Sequence, residues 1–457
     1  MANSERLVSL DVFRGMTIAG MVLVNNPGGS PVYWPLDHAE WNGLTPTDWI
    51  FPFFLFIVGV SISISLGKAK GGNAGSGDGA QARRSAYLRI LTRAASIYLC
   101  GAALSIIPFF QFQASDAPDP VKLIVWLAFC ASMLFLLLRN YKLAAILCAV
   151  GLLGIAVMNI AGWNIVGYNY GTLRFAGVLQ RISVCYLITS LIFLHTNWKQ
   201  QVGISIFLLL GYWLIMTVIP VPGCEITTIS DKACNLAAYV DRMIITENHI
   251  WRSGKVYDPE GILSTIPAIV TTISGVLTGT WLRSSPHSTQ GVDGPVLSDA
   301  RLQTFDTRLN KVSGMFFFGV ALLAVGLIWN SYFPLNKAMW TSSYVCATTG
   351  LALLTLGFCY WLIDIKGYAR WAWPFKVFGA NALALFVFTG FFARMISAYR
   401  VTDSDGKVIS IQRWVMNHVY SPIFQPIDAS LAFAISFILL WLFLMWLLYR
   451  KQVYIKV

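Results

Sequence analysis

Long apolar segments recur along the chain, and short polar segments separate them. Each apolar segment comes close to the length of about 20 residues that a helix needs to cross a bilayer. The predicted spans are 7–26, 46–67, 87–110, 121–138, 143–160, 174–195, 201–220, 262–282, 312–330, 341–363, 375–397 and 428–449. The pattern predicts an all-α, polytopic integral membrane protein with about 12 transmembrane helices.

Basic residues concentrate in alternate loops of this arrangement. They occur in the loops 68–84 and 283–311, in the turn RNYK at 139–142 and in the final segment RKQVYIKV. Because cytoplasmic loops are rich in Lys and Arg, we expect these loops and both termini in the cytoplasm. The segments expected on the other face are 27–45, 111–120, 161–173, 221–261, 331–340 and 398–427. The net charge of +12 is then explained by the basic residues of the cytoplasmic loops, and we expect no nucleic-acid partner.

The composition agrees with a membrane protein, since 56% of the residues are hydrophobic and only 12% are charged. No polar stretch is long enough for a large soluble core, so we treat 1–457 as a single transmembrane domain. The first apolar run contains Asp11 and Arg14 and lacks a small-residue cleavage site, so we expect no cleavable signal peptide. Cys224 and Cys234 share a polar loop and are a disulfide candidate if that loop faces an oxidising compartment. The other cysteines fall in apolar spans, where they are expected to pack.

The stretch from Asn25 to Gly59 is unusually polar for a connection between two membrane helices. The sequence NPGG at 26–29 is expected to end the first helix, because Pro lacks a donor and Gly tolerates positive φ. Thr45 is expected to cap the second helix, with Pro46 at the first helical position and Asp48 at the third. This pattern places His38 in a short loop at the membrane boundary, ten residues before a carboxylate.

His38 and Asp48 have the chemistry of a general base and its orienting acid. An imidazole exchanges protons near neutral pH, and a carboxylate on its far nitrogen fixes the tautomer. Asn25 or Asn26 could donate a hydrogen bond to a developing oxyanion. A lone loop histidine is nevertheless more often structural, and Asp48 is equally explained as a capping acid. The five histidines show no metal-ligand spacing, so we expect no metal.

Ionisable residues inside apolar spans are the other candidates, since each is costly in a bilayer unless paired or hydrated. They are Asp11, Arg14, Arg89, Arg93, Arg181 and Arg394. Asp11 and Arg14 are three residues apart and can pair with each other, and Arg89 is expected to reach the lipid headgroups. Arg93 and Arg181, placed in the cytoplasmic or middle part of their helices, are the better candidates for holding an anion.

Several motifs are familiar together. They are LDVFRG (10–15), VNNPGG (24–29), HAEWNGLTPTD (38–48), FPFFLFIVG (51–59), GVLQRI (177–182), VPGC (221–224), YDPEGILSTIPAIV (257–270), NKAMWTSSYV (336–345), YWLID (360–364) and FGANAL (378–383). In this order the chain resembles the heparan-α-glucosaminide N-acetyltransferase family, one of the transmembrane acyltransferases. The resemblance is to a bacterial-type member, which implies a place in the bacterial inner (plasma) membrane.

The resemblance implies transfer of an acetyl group from cytoplasmic acetyl-CoA to an amino sugar or glycan outside. The catalytic His of the family falls on His38, its supporting Asp on Asp48 and its Asn on Asn25. Candidates for binding acetyl-CoA are Arg14, Arg93 and Arg181, and candidates for binding the acceptor are Trp41, Asn26 and Glu260. Membrane lipid is an expected partner, and a homodimer is compatible with the resemblance. We expect that the N-terminal lumenal domain and first helix of the lysosomal member are missing here, and that 121–160 is an added hairpin.

The chemistry suits these residues, because a thiolate leaves easily, an attacking amine needs a base and an oxyanion needs a donor. The sequence leaves open whether His38 carries the acetyl group or assists direct transfer. If Asp48 only orients the ring, Asp48→Asn should lose less activity than His38→Ala. The alternative function is a secondary transporter of a sugar or related small molecule, which also fits twelve spans and a His–Asp pair. A structural scaffold is a third interpretation, but the polar density of 25–48 argues against it.

Overall fold

A computed structural model describes residues 7–71, 77–284 and 300–455. Fifteen α-helices occur in these ranges: α1 Val8–Asn25, α2 Ile50–Gly71, α3 Gly77–Ile106, α4 Asp119–Leu137, α5 Tyr141–Ile160, α6 Val178–His195, α7 Trp198–Val218, α8 Leu236–Ile244, α9 Ile262–Arg283, α10 Ala300–Trp329, α11 Ser342–Cys359, α12 Trp373–Ala380, α13 Ala382–Ala398, α14 Ile411–Val415 and α15 Pro426–Arg450. Short 3₁₀ segments are Trp34–Leu36, Pro46–Trp49 and Tyr170–Thr172, and π segments are Tyr360–Ile365 and Met416–Tyr420. Strands β1 Arg400–Thr402 and β2 Val408–Ser410 form an antiparallel hairpin in which Arg400 faces Ser410.

The prediction of an all-α, polytopic membrane protein is confirmed. Within the three described ranges, eleven helices are long and apolar enough to cross a membrane, and the bent pair α12 and α13 makes a twelfth. Two predicted loops are partly wrong, because 77–84 and 300–311 are helical and extend α3 and α10. Apolarity marks only the part of a helix that lies in lipid, whereas a helix can continue into water with charged residues on its surface.

The span predicted at 375–397 is present as a bent pair of helices and not as one continuous helix. The two helices, α12 and α13, meet at 83° around Asn381. The side chain of Asn381 donates to the carbonyl of Val453 (3.0 Å) and accepts from the amide of Ile455 (2.7 Å). The bend therefore lies where a polar side chain leaves the helical pattern and binds the C-terminal tail.

Helices α2, α9 and α11 occupy the centre of the bundle. Helices α2 and α9 approach closely, because a Cβ at Gly59 would overlap the carbonyl of Thr272 and a Cβ at Gly275 would overlap that of Phe56. Small residues permit such contact between membrane helices. In contrast α5, α7 and α10 are on the periphery and expose apolar side chains, as expected for lipid-facing helices.

The loops divide between two sides of the bundle. The side that carries His38, here called the His38 side, is formed by 26–49, 107–118, 161–177, 219–261, 330–341 and 399–425. The first residues of α1 and the last of α15 lie on the opposite side. Cys224 and Cys234 form a disulfide (S–S 1.97 Å) on the His38 side, which confirms that candidate pair. Which side faces the cytoplasm stays a prediction from loop charge.

Candidate active site

The turn that follows α1 is held in place by the start of α15. The helix ends at Asn25, and the amide of Asn26 donates back to the carbonyl of Val22 (2.7 Å). The backbone N–H groups of Gly28 and Gly29 donate to Ser430. The predicted helix stop at NPGG is thus confirmed, and its close packing fixes the position of Asn25 at the end of α1.

The Asp48 side chain caps the first turn of the second membrane helix and is 1% exposed. Its Oδ2 accepts from the N–H of Thr45 (3.1 Å), the hydroxyl of Thr45 (3.0 Å) and the N–H of Ala39 (3.2 Å). The hydroxyl of Tyr344 donates to its backbone carbonyl (2.6 Å). The predicted capping acid is therefore present, and three donors hold one of its two oxygens.

The other oxygen of Asp48 faces His38. Oδ1 lies 2.7 Å from Nδ1 of the imidazole, whose side chain is 50% exposed. Because a carboxylate is only an acceptor, Nδ1 carries the proton in this contact and Nε2 keeps its lone pair as an acceptor. Asp48 is thus both a capping acid and the orienting partner of His38, so the two explanations of Asp48 are compatible.

A lysine completes the cluster. Nζ of Lys337 lies 3.3 Å from Oδ1 of Asp48, 3.0 Å from Nδ1 of His38 and 3.4 Å from its Nε2. Burial lowers the pKa of Lys337 below its ordinary value, although the charge and hydrogen bond of Asp48 oppose this. Sequence reasoning missed Lys337. The sequence could have indicated it, because Lys337 is the one charged residue of the predicted loop 331–340 and lies within the motif NKAMWTSSYV.

The loop that carries Lys337 is bound directly to the loop that carries His38. The side chain of Asn336 donates to that of Asn42 (3.1 Å), and the N–H of Gly43 donates to the carbonyl of Leu335 (2.8 Å). Asn336 also accepts from the N–H of Met339 within its own turn (2.8 Å). These contacts fix the position of Lys337 relative to His38.

A cavity of about 590 Å³ opens beside this cluster. Its polar lining includes Asn25, Asp37, His38, Glu40, Asp48, Arg174, Glu260 and Lys337. Its aromatic lining is Trp41, Phe51, Trp251, Tyr257 and Phe386, and further apolar residues are Met21, Val24, Ile50 and Val178. The loop residues therefore form one part of the cavity, and residues of α1, α2, α6 and α13 form an apolar part that extends toward the membrane.

Two of the three predicted acceptor-binding residues line this cavity. Trp41 stacks edge-on against Tyr257 (4.8 Å between centroids), and its indole N–H donates to the carbonyl of Ile229 (2.9 Å). Glu260 lines the cavity as an ion-pair partner of Arg174. Asn26 does not line it, because its amide is bound to α1.

Arg174 is a second residue that sequence reasoning missed. Its Nε donates to Oδ2 of Asp258 (2.9 Å), and its Nη2 bonds both Asp258 and Glu260. Burial opposes the charge of Arg174, but the hydrogen bond to Asp258 and the two carboxylates raise its pKa above the ordinary value. In the sequence the available signs were an Arg at the boundary of a predicted span and a DPE triplet in another loop. No local pattern indicated that these residues would pair.

The three predicted donor-binding arginines do not line the cavity. Arg14 donates to Ser61 (2.9 Å) and pairs with Asp11 (3.4 Å), and the exposed Arg93 lies over the ring of Tyr186.

The expected position of Arg181 in the cytoplasmic or middle part of its helix is wrong. It lies in the first turn of α6 on the His38 side, is 2% exposed and bonds Gly261 and Ser264. The predicted span included 174–177, which the structure leaves outside the helix. The role of these three arginines in donor binding stays a prediction.

No group of three or more His, Cys, Asp or Glu side chains in residues 7–71, 77–284 and 300–455 is arranged to hold a metal ion.

Comparison with known proteins agrees with the motifs. The family model described as heparan-alpha-glucosaminide N-acetyltransferase, catalytic, matches residues 6–170. Two relatives carry the name heparan-alpha-glucosaminide N-acetyltransferase. The human protein is 25% identical over 429 residues, which are 84% of this chain and 52% of the relative. The mouse protein is 25% identical over 431 residues, which are 84% of this chain and 53% of the relative.

The chain is similar to this family, whose model matches its residues 6–170. The heparan-alpha-glucosaminide N-acetyltransferase match at 6–170 contains Asn25, His38 and Asp48, whereas Lys337 and Glu260 lie beyond it. The chain spans about half the length of the curated relatives it matches. Its many apolar helices make this protein an integral membrane protein.

Proposed function

We propose that the protein is a transmembrane acetyltransferase that moves an acetyl group from acetyl-CoA to the amine of a glucosamine-type sugar. The observation that carries this proposal is the His38–Asp48 pair at 2.7 Å, with His38 lining a cavity. The similarity to the human and mouse relatives supports the same reaction, because both are named for N-acetyl transfer to heparan-α-glucosaminide.

In this reaction His38 acts as the base. The acceptor nitrogen attacks the thioester carbon, a C–N bond forms and the carbonyl π electrons move to oxygen. Nε2 of His38 takes the proton that the amine sheds, and Asp48 stabilises the imidazolium through Nδ1. When the oxyanion collapses, the C–S bond breaks and CoA leaves as a thiolate, which takes up a proton. Asn25 lines the cavity and can donate to the oxyanion.

The loop part of the cavity supports an amino-sugar acceptor. Asp37, Glu40 and Glu260 supply carboxylates that attract a cationic amine and accept from sugar hydroxyls. Trp41 and Tyr257 supply an apolar wall against which a sugar ring can pack. Trp41 and Glu260 are therefore retained as acceptor-binding residues, and the role of Asn26 is to hold the turn.

The apolar part of the cavity supports entry of the donor from the membrane side. Met21, Val24 and Phe386 belong to crossing helices and lie beneath the cluster, where the uncharged end of the pantetheine arm can pack. We propose that the CoA phosphates stay on the opposite, cytoplasmic side, where Arg and Lys concentrate in the sequence. The enzyme would then act across a bacterial inner membrane, as one transmembrane domain.

The orientation has a direct test. An impermeant thiol reagent added outside should label cysteines introduced near Lys407 of the β1–β2 turn, and should not label cysteines in the loops 68–84 and 283–311. Labelling of both basic loops from outside would reverse the topology.

The decisive test of function is His38→Ala, assayed as acetyl-CoA-dependent release of thiol with glucosamine as acceptor. A general base contributes about 10²–10⁴-fold, so a loss of at least this size is expected while CoA binding persists. His418→Ala is the matched control, because His418 also pairs with a carboxylate (Nε2 to Asp403 Oδ1, 3.2 Å) but does not line the cavity. Near-normal turnover in folded His38→Ala would overturn the assignment. Acetyl-CoA left intact by wild type would favour a transporter.

Radiolabelled acetyl-CoA without acceptor separates the two routes of transfer. Label retained by wild type and absent from His38→Ala supports an acetyl group on His38, whereas no label on either protein supports direct transfer.

A further inference from the structure

Lys337 is the group in the cluster that the proposed chemistry does not yet use. We propose that Lys337 is a catalytic residue whose ammonium group binds the oxyanion formed during acetyl transfer. The inference rests on the proposed function and adds a residue from a loop 299 positions away from His38. It assigns to Lys337 the electrostatic stabilisation that acyl transfer needs.

The position of the ammonium relative to His38 supports this role. Nζ of Lys337 is 3.4 Å from Nε2, the nitrogen that must receive the proton of the attacking amine. An amine hydrogen-bonded to Nε2 brings its carbonyl target into the same few ångströms, so the carbonyl oxygen falls within reach of Nζ. The side chain of Lys337 is 27% exposed and lines the cavity, so one face of the ammonium is open to a ligand.

The hydrogen-bond capacity of the ammonium also supports it. A lysine ammonium has three donors. The contact with Asp48 at 3.3 Å takes one of them, and Nδ1 of His38 is already engaged as a donor to the same carboxylate. The contact with Nε2 of His38 at 3.4 Å can take a second donor, so at least one donor of Lys337 is available for an incoming oxygen. Asn25 lines the same cavity and can supply a further donor.

Charge is balanced through the step. Before reaction the negative charge of Asp48 offsets the positive charge of Lys337, and His38 is neutral. When the C–N bond forms, a positive charge appears on His38 and a negative charge on the oxygen, and Lys337 keeps its proton. When the C–S bond breaks, the oxygen regains its π bond and releases the ammonium. The other charged or titratable groups around the cavity are Asp37, Glu40, Arg174, Tyr257 and Glu260.

If Lys337 acted as a base it would have to be neutral, whereas the proposed role requires the charged ammonium. The two roles therefore predict opposite changes in kcat as the pH rises. Burial lowers the pKa of Lys337, so an ammonium that is needed for catalysis is lost at a lower alkaline pH than that of an exposed lysine. Wild-type kcat should therefore fall on the alkaline side. Lys337→Arg keeps its charge to higher pH and should abolish that fall, even if its kcat is reduced by the different shape.

The experiment measures kcat and KM from pH 6 to about 10 for wild type, Lys337→Met and Lys337→Arg, with a blank without enzyme at each pH. Removing one oxyanion donor lowers kcat by about 10²–10³-fold, so Lys337→Met should show this loss, with KM for acetyl-CoA changed much less. Lys407→Met is the control, since Lys407 is an exposed lysine of the β1–β2 turn outside the cavity. Thermal unfolding verifies that each variant is folded.

Three results would overturn the inference. They are normal kcat in Lys337→Met, wild-type kcat that keeps rising through the alkaline range, and an unchanged alkaline fall in Lys337→Arg. If Lys337→Met does not fold, the alkaline side of Lys337→Arg decides alone. Wild-type thiol release in the same assay tests the proposed function separately. If the wild type is active and only the variants depart from the prediction, the role of Lys337 is refuted and the proposed function is not.

Discussion

Replacing Asp48 with Asn tests the orientation of the catalytic base. Both oxygens of Asp48 are used, since Oδ2 accepts from three donors and Oδ1 faces His38 and Lys337. An amide has only one oxygen, so one of these two groups must meet an NH₂ instead. In Asp48→Asn the single amide oxygen can therefore serve only one of the two sets of partners, and the relative strength of the hydrogen bonds determines which set.

Two of the donors on Oδ2 are the backbone N–H groups of Thr45 and Ala39, and the third is the Thr45 hydroxyl, which can donate to the carbonyl of Asp37 instead (2.7 Å). Leaving a buried donor unsatisfied costs about 1–3 kcal/mol, so an NH₂ facing the two backbone N–H groups would cost about 2 kcal/mol or more. The amide oxygen should therefore stay with these donors, and the NH₂ should turn toward Nδ1 of His38. His38 then accepts at Nδ1 and carries its proton on Nε2, which is the nitrogen that must act as base.

The expected loss in kcat is about 10⁴-fold, the size seen when the aspartate of a Ser-His-Asp triad becomes asparagine and the wrong tautomer results. This exceeds the sequence-based expectation, in which Asp48→Asn loses less than His38→Ala. Thiol release from acetyl-CoA measures the rate, and thermal unfolding checks the fold. The matched control is Asp231→Asn, because the carboxylate of Asp231 also accepts backbone N–H groups, from Ala233 and Cys234, but lies outside the cavity.

A folded Asp48→Asn protein that keeps more than about a tenth of wild-type kcat would refute this reasoning. It would show that His38 can act without a carboxylate on Nδ1, and that Asp48 serves only as a cap.

Three further predictions concern stability in detergent. Arg174→Met should lower the free energy of unfolding by about 3 kcal/mol, because it leaves the buried carboxylate of Asp258 without its partner; an unchanged denaturation midpoint would contradict this. Replacing Cys224 and Cys234 together with Ser should cost about 2–3 kcal/mol, since the bridge closes a short loop, and equal midpoints would show that the bridge contributes nothing. Burial raises the pKa of Asp241 from 3.8 to about 6, so the folded state holds a proton that the unfolded state has lost. The contribution of this group to stability should fall by about 3 kcal/mol as the pH rises from about 4 to about 6, and Asp241→Asn should remove that slope; a slope that persists in the variant belongs to another group.

The sequence was sufficient where the physical cause is local. Apolar length alone located nearly every membrane helix, because a bilayer requires a continuous apolar surface. The end of α1 at Asn25 and the cap formed by Thr45 and Asp48 depend on residues within a few positions of one another, although the turn after α1 is also held by Ser430. His38 lies inside this local unit, so its pairing with Asp48 could be predicted before any fold was known.

Other features depend on contacts between distant segments. The predicted span 375–397 is bent at Asn381, whose side chain binds a tail more than 70 residues later. Arg174 is held at the cavity by ion pairs with Asp258 and Glu260, which belong to another loop. Arg181 is buried near the His38 side because α6 starts later than its apolar pattern indicates.

Lys337 shows the same limit at the site itself. Hydrogen bonds between the Asn42 and Asn336 loops bring its ammonium to His38, across 299 positions of sequence. In the sequence this lysine is one cation in a short loop, and its neighbours are apolar or uncharged. Periodicity and capping describe how each segment folds, but the energy of placing one buried charge beside another is decided only when the segments pack together.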